Sequence, residues 1–221
     1  ARSAACSGFF NLGTENNDVD TVTVSNDLNT FAFRDDDGFD ISAVTATTSL
    51  TLVSDSSVTA VTQSGIVNTP SLILAANTAG LGDFNLGTQD NTVGTLSSTS
   101  TINSVSLRDD ATNIVVGGLD VDSSSTFRTN GTVTQVGGTA LIGGGNLDFV
   151  SAGGTGDFTF ANACNDFGTV SATGTVSDVS LRDDVAFALG SMTASTVTLQ
   201  TDGAVTQTGA VSATTLTLTS T

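Results

Sequence analysis

The chain has 221 residues and carries 22 acidic side chains against five arginines, with no lysine and no histidine, for a net charge of −17. A surface so one-sided repels nucleic acid and anionic lipid, which excludes phosphate-backbone binding as a function. No apolar run approaches the ~20 residues of a helical membrane span, and no charged-then-apolar leader opens the sequence, so no membrane insertion is expected.

Thr, Val, Ser, Gly, Asp and Asn dominate, with Pro70 the one proline and Phe the one aromatic type. This is the vocabulary of short strands and tight turns. After residues 1–9, one unit runs three times, over residues 10–83, 84–157 and 158–221. Phe10, Phe84 and Phe158 stand 74 apart, as do Asn17, Asn91 and Asn165, and Arg34, Arg108 and Arg182. A fixed period of this size marks a repeat architecture. The Val-Thr-Gln strings, with glutamines Gln63, Gln135 and Gln207, return at 72 instead, so an indel falls in a loop between fixed elements.

Within the third copy, apolar-polar-apolar triplets recur as Phe158-Thr159-Phe160, Val179-Ser180-Leu181, Val197-Thr198-Leu199 and Leu216-Thr217-Leu218. Their centres are 21, 18 and 19 residues apart, and each has the pattern of a half-buried strand. Four such elements in 74 residues predict an all-β chain, a single-stranded parallel β-helix (β-solenoid) of about 12 coils of about 18–19 residues, continuous over residues 1–221. At ~4.8 Å per coil, the rod is about 55–60 Å long.

The strings Asn165-Asp166-Phe167-Gly168, Val179-Ser180-Leu181-Arg182-Asp183-Asp184 and Gly203-Ala204-Val205-Thr206-Gln207-Thr208-Gly209-Ala210 resemble the β-strand repeats of filamentous-haemagglutinin-type bacterial surface proteins. The resemblance implies a secreted right-handed parallel β-helix serving adhesion, biofilm or envelope structure. The chain departs from that family in being short and in showing no secretion domain.

Arg-Asp-Asp recurs at residues 34–36, 108–110 and 182–184. It reads either as an acidic corner for Ca²⁺, which wants hard oxygen ligands, or as a solvated turn whose arginine pairs weakly with nearby aspartates; the turn is favoured. The first copy, with Asp35, Asp36, Asp37 and Asp40, is the one candidate metal site, and no other cofactor is expected. The Asn17, Asn91 and Asn165 column suits turns, because asparagine satisfies turn amides with its side chain. The Gln63, Gln135 and Gln207 column suits inward amides bonded from coil to coil. Thr21-Val22-Thr23 suggests a Thr-x-Thr ice-binding array, but the copies of Thr23 are Ser97 and Ser171, so the array is not maintained. With His, Lys and Tyr absent, no nucleophile has a partner to activate it, and no catalysis is expected.

Cys6 and Cys164 lie several coils apart in such a rod, beyond the ~7 Å reach of a disulfide. They read as free thiols or as a bridge to another chain. Neither end shows a polar cap, a helix or a gatekeeper residue, and an open solenoid end is a strand edge that invites addition. The expected function is therefore structural: an extracellular or cell-surface protein that associates with itself head-to-tail into a filament, sheath or matrix. A stalk of a large adhesin binding surface glycans is the alternative, and a β-helix polysaccharide-active enzyme a distant third.

Overall fold

The computed structural model describes residues 8–220 apart from 25, 26, 57, 111, 112, 152, 154 and 155. Among the described residues the regular structure is all strand, and neighbouring strands pair in parallel. The period-two alternation of the sequence dictates this, because it leaves each strand with one apolar face to bury and one polar face to hydrate.

Two walls result. The first is a 13-stranded sheet whose path runs through Gly8–Asn17, Leu28–Asp35, Asp40–Ser54, Val67–Ala75, Thr92–Ser98, Ile114–Val116, Thr132–Gln135, Asp157–Phe160, Thr175–Asp183, Met192–Thr201 and Val211–Ser220. The second is an 8-stranded sheet along Leu81–Leu86, Ile102–Arg108, Leu119–Thr129, Asn146–Ser151, Thr169–Thr173, Phe187–Leu189 and Val205–Gln207. Near the start, Asp40–Ser54 serves both walls. Its first residues pair with Thr21–Thr23 and Thr62–Gln63, and a bridge from Val61 to Phe84 carries that line into the second wall.

The triplets of the third copy stack in register as expected, with Thr159 on Ser180, Ser180 on Thr198 and Thr198 on Thr217. The coil count differs. The solenoid has about 10 turns, not 12, because the 74-residue unit holds three and a half coils instead of four. In the first wall Phe10 stacks on Phe31, Phe31 on Leu50 and Leu50 on Leu72. The chain then crosses, and Phe84 starts the same sequence on the second wall with Val105, Ser125 and Leu147. It crosses back, and Phe158 resumes on the first wall with Val179, Val197 and Leu216. The coil offsets of the three copies agree closely: 21, 19, 22, then 21, 20, 22, then 21, 18, 19. Equivalent residues of consecutive copies therefore face opposite sides, and each copy is turned by about half a revolution relative to the one before it.

Between the walls lies one continuous apolar core. At its middle, Phe149 of the second wall stacks against Phe158 of the first with ring centroids 4.3 Å apart, and Phe160 sits 5.7 Å from Phe149 and 5.8 Å from Phe127. Such pairs add about 0.5–1.5 kcal/mol each beyond the area they bury. They also tie the walls together across the crossover, where backbone ladders cannot.

Candidate functional site

Two features stand out: a polar knot at each junction between consecutive copies, and apolar grooves on the first and last described coils. The knot is built where the strand after each repeat phenylalanine ends. The Asn91 Nδ2 donates to the carbonyls of Leu86 at 2.8 Å and Gln89 at 3.2 Å, which closes the turn. Its Oδ1 accepts from the Gln63 Nε2 and the Val67 N–H, both at 2.8 Å, one coil below. Gln63 also accepts from Asn91 through Oε1 at 3.1 Å, so the two amides lock face to face. Asn165 repeats the arrangement. Its Nδ2 donates to Phe160, Asn162 and Arg182 carbonyls, and its carboxamide pairs reciprocally with Gln135 at 2.6 and 3.1 Å. Asn17 makes the same turn, donating to the carbonyls of Leu12, Glu15 and Arg34, but it lies on the first coil. No described residue donates to its Oδ1.

The Arg-Asp-Asp triads complete the knot, and here the expectation of a solvated turn is corrected for the first aspartate. The first aspartate of each triad, Asp35, Asp109 or Asp183, is buried. One carboxylate oxygen accepts from a backbone N–H in the coil below: Val19 at 2.9 Å, Val93 at 2.8 Å and Phe167 at 2.8 Å respectively. The other oxygen of Asp35 accepts from the Asp37 N–H at 2.9 Å, and that of Asp183 from the Val185 N–H at 2.7 Å. Burial pushes the Asp183 carboxyl above the usual carboxylate range, the Val185 and Phe167 N–H groups draw it partly back, and Asp166 and Asp184 push it up again. Each triad's aspartate is thus a staple between coils, acting where an unpaired backbone N–H would be costly.

The arginines stay at the surface. Arg34 reaches Asp55 on the next coil at 3.2 Å, Arg108 bonds Asp110 of its own turn at 2.7 Å, and Arg182 lies 3.7 Å from Asp184. At Asp55, burial raises the pKa, but hydrogen bonds from Asn77, Thr78 and Arg34 outweigh it and hold the carboxyl below its ordinary value.

The candidate Ca²⁺ site does not assemble. Asp35 turns inward to its two N–H partners while Asp36 and Asp37 stay exposed, and Asp40 bonds Thr62 and Ser64. Among the described residues no three acidic, histidine or cysteine side chains gather around a common point. Cys164 is a free, exposed thiol; Cys6 lies outside the described residues.

On the first coil, Phe9, Phe10 and Leu12 are exposed, and a groove between Phe10, Leu12, Val22, Leu28, Phe31 and Phe33 opens the core. On the last coil, Leu216 is 51% and Leu218 66% exposed, and the matching groove runs between Leu189, Leu199, Val205, Gln207, Leu216 and Leu218. Gln207 is the one glutamine of its column on an open end: it is exposed, and its Nε2 donates to the Gly209 carbonyl at 2.7 Å.

Residues 102–174 and 176–221, together more than half of the chain, match a family described as repeats of unknown function. The two matched segments begin 74 residues apart, which is the period read from the sequence. No curated protein and no solved structure shows significant similarity to the chain.

Proposed function

The chain belongs to the DUF5649 family of repeats of unknown function, a β-solenoid repeat protein, and from that premise we propose that it builds an extended extracellular or cell-surface structure by stacking end to end on itself. The observation that carries this reading is that each copy already seats the next: Phe84 bridges Val61, and Phe158 stacks on Val133. Gly8–Asn17 and Val211–Ser220 carry the same apolar-polar pattern as the strands inside the rod. Interior coils bury that pattern on both sides, so the favourable addition is another coil of the same kind.

The evenly spread negative charge keeps the sides of the rods apart while leaving the ends attractive, which favours length over lateral clumping. No role for catalysis is assigned: the buried aspartates are committed to backbone N–H groups, and the polar knot joins coils at both junctions between copies. Electron microscopy and sedimentation of the purified protein over a concentration series test the reading. Uniform fibres that lengthen with concentration are expected. Monodisperse short rods at high concentration would overturn it, and glycan binding by those rods would point to an adhesive stalk instead.

A further inference from the structure

The three copies differ in the length of one loop. Ser54, Thr129 and Thr201 are equivalent: each ends a strand, and its hydroxyl accepts from the N–H two residues on, at 3.4, 2.9 and 2.9 Å. Val61, Val133 and Val205 then begin the line on the opposite wall. Between these points the second and third copies have three residues, 130–132 and 202–204, whereas the first has six, 55–60. An insertion in one copy of a repeat protein adds a loop to one face, and that face is often the one that binds.

The longer loop is held in one shape. Ser56 is buried, and its Oγ accepts from the Val58 and Thr59 N–H groups at 3.2 and 2.9 Å and bonds the Thr59 hydroxyl at 2.8 Å. Asp55 accepts from the Asn77 Nδ2 and the Thr78 N–H at 2.9 and 3.1 Å. A methyl group on Gly38 would meet the carbonyl oxygens of Thr59 and Ala60 at 2.6 and 2.8 Å, and the third copy, with its short loop, carries Ala186 at this position. So fixed, the loop sets Val58 out into solvent, 91% exposed.

Val58 and Ala60 form one lip of a groove of about 500 Å³ on the outer face of the second wall. Its floor is two columns in register across three strands, Asp83–Ser104–Ser124 and Asn85–Ser106–Thr126. Each of these strands is paired on both sides, Leu81–Leu86 through the Val61 bridge, so the groove belongs to the side of the rod. The Asp83 Oδ1 accepts from the Asn103 Nδ2 at 2.7 Å and from the Ser104 hydroxyl. The Asn85, Ser106, Ser124 and Thr126 side chains make no hydrogen bond to another described residue, and no arginine lines the groove.

We infer that this groove binds a neutral saccharide. Hydroxyls and a carboxamide both donate and accept, as the hydroxyls of a sugar do, and the Asp83 Oδ2 is an acceptor to which no described residue donates. Val58 and Ala60 supply an apolar edge for the C–H face of a ring. With Asp83 in the floor and a net charge of −17 on the chain, the groove repels acidic sugars, phosphates and nucleotides. Floor residues follow one another at ~4.8 Å along the rod, close to the step between units of an extended sugar chain. The groove is independent of end-to-end stacking, which leaves the sides of the rod open.

Titration calorimetry and saturation-transfer NMR on the dilute 221-residue chain, with linear neutral tetrasaccharides of glucose, mannose and galactose and a sialylated tetrasaccharide for comparison, test the inference. Saturable binding of at least one neutral tetrasaccharide is expected, weakened about tenfold by Asn85→Ala through the loss of a ligand hydrogen bond. Val58→Asp is expected to weaken it as well. Both side chains are exposed, so far-UV circular dichroism should show the fold unchanged, and Thr198→Ala on the first wall should bind as the native chain does. No binding of any neutral tetrasaccharide, or binding that both groove variants leave unchanged, would overturn the inference. Equal affinity for the sialylated tetrasaccharide would overturn the neutral class of ligand. Sedimentation reads stacking separately, so failure here leaves that reading standing.

Discussion

Removing the Asn91 carboxamide is the sharpest probe of the polar knot, because its two siblings supply an internal control. Asn91 is fully buried and makes five hydrogen bonds, to Leu86, Gln89, Val67 and twice to Gln63. Asn91→Ala leaves the Val67 N–H and the Gln63 Nε2 without this acceptor in a site too enclosed for easy hydration. Two orphaned donors at ~1–3 kcal/mol each predict a loss of about 2–6 kcal/mol. Asn17→Ala removes two exposed turn bonds, to Leu12 and Glu15, and one bond to the Arg34 carbonyl on the next coil; water can replace the exposed pair, so its loss is held below about 1.5 kcal/mol. Urea unfolding followed by far-UV circular dichroism measures both, since the chain has no Trp or Tyr to report by fluorescence. Dilute protein keeps the ends free. Equal losses at the two positions would refute the claim that coil-to-coil pairing, and not turn closure, is what the column contributes.

Phe149→Ala empties the centre of the aromatic stack against Phe158 and Phe160 and is expected to cost about 3–5 kcal/mol in the same unfolding assay; a loss under ~1 kcal/mol would mean the walls are not joined there. A methyl group on Gly65 would sit 1.3 Å from the Ser42 carbonyl oxygen, whereas one on Gly137 meets nothing within 4 Å. Gly65→Ala should therefore unfold the first coils, while Gly137→Ala should be neutral or stabilise by up to ~1 kcal/mol, as read by melting temperature; the reverse order would refute the close approach. Asp183 has its folded pKa raised above the ordinary 3.8, chiefly by burial. Its protonated form thus contributes stability that is present below that value and lost as pH rises through the folded pKa. The stability gap between the native chain and Asp183→Asn should widen as the pH falls from ~7 toward ~4, and a gap that does not change would show that the two N–H bonds offset burial and leave the carboxyl's pKa unraised.

The sequence by itself determined the architecture, because its information is periodic and local. Period two in the triplets from Phe158 to Leu218 dictates strands with one buried face. The 74-residue identity of Phe10, Phe84 and Phe158 dictates that each copy stacks on an equivalent surface. Even the in-register ladder from Thr159 to Thr217 was legible, since equal spacing along one wall is all that it requires. The coil count was not, because triplets on the two walls look alike. Phe187-Ala188-Leu189 and Val205-Thr206-Gln207, which fall between those of the first wall, were the signal that a repeat counts half-coils.

Only the tertiary structure decided which way each polar residue points. Asp35, Asp109 and Asp183 follow arginines in acidic runs that read as hydrated turns. Yet they are buried, since the turn presents backbone N–H groups that only an inward carboxylate can satisfy. Likewise Asn17, Asn91 and Asn165 are one letter at one spacing, but Asn91 and Asn165 pair with a glutamine in the coil below, and no described residue does so for Asn17. Spacing along the chain fixes what recurs; whether a recurring group is satisfied depends on the coil beneath it, which is a fact of three dimensions.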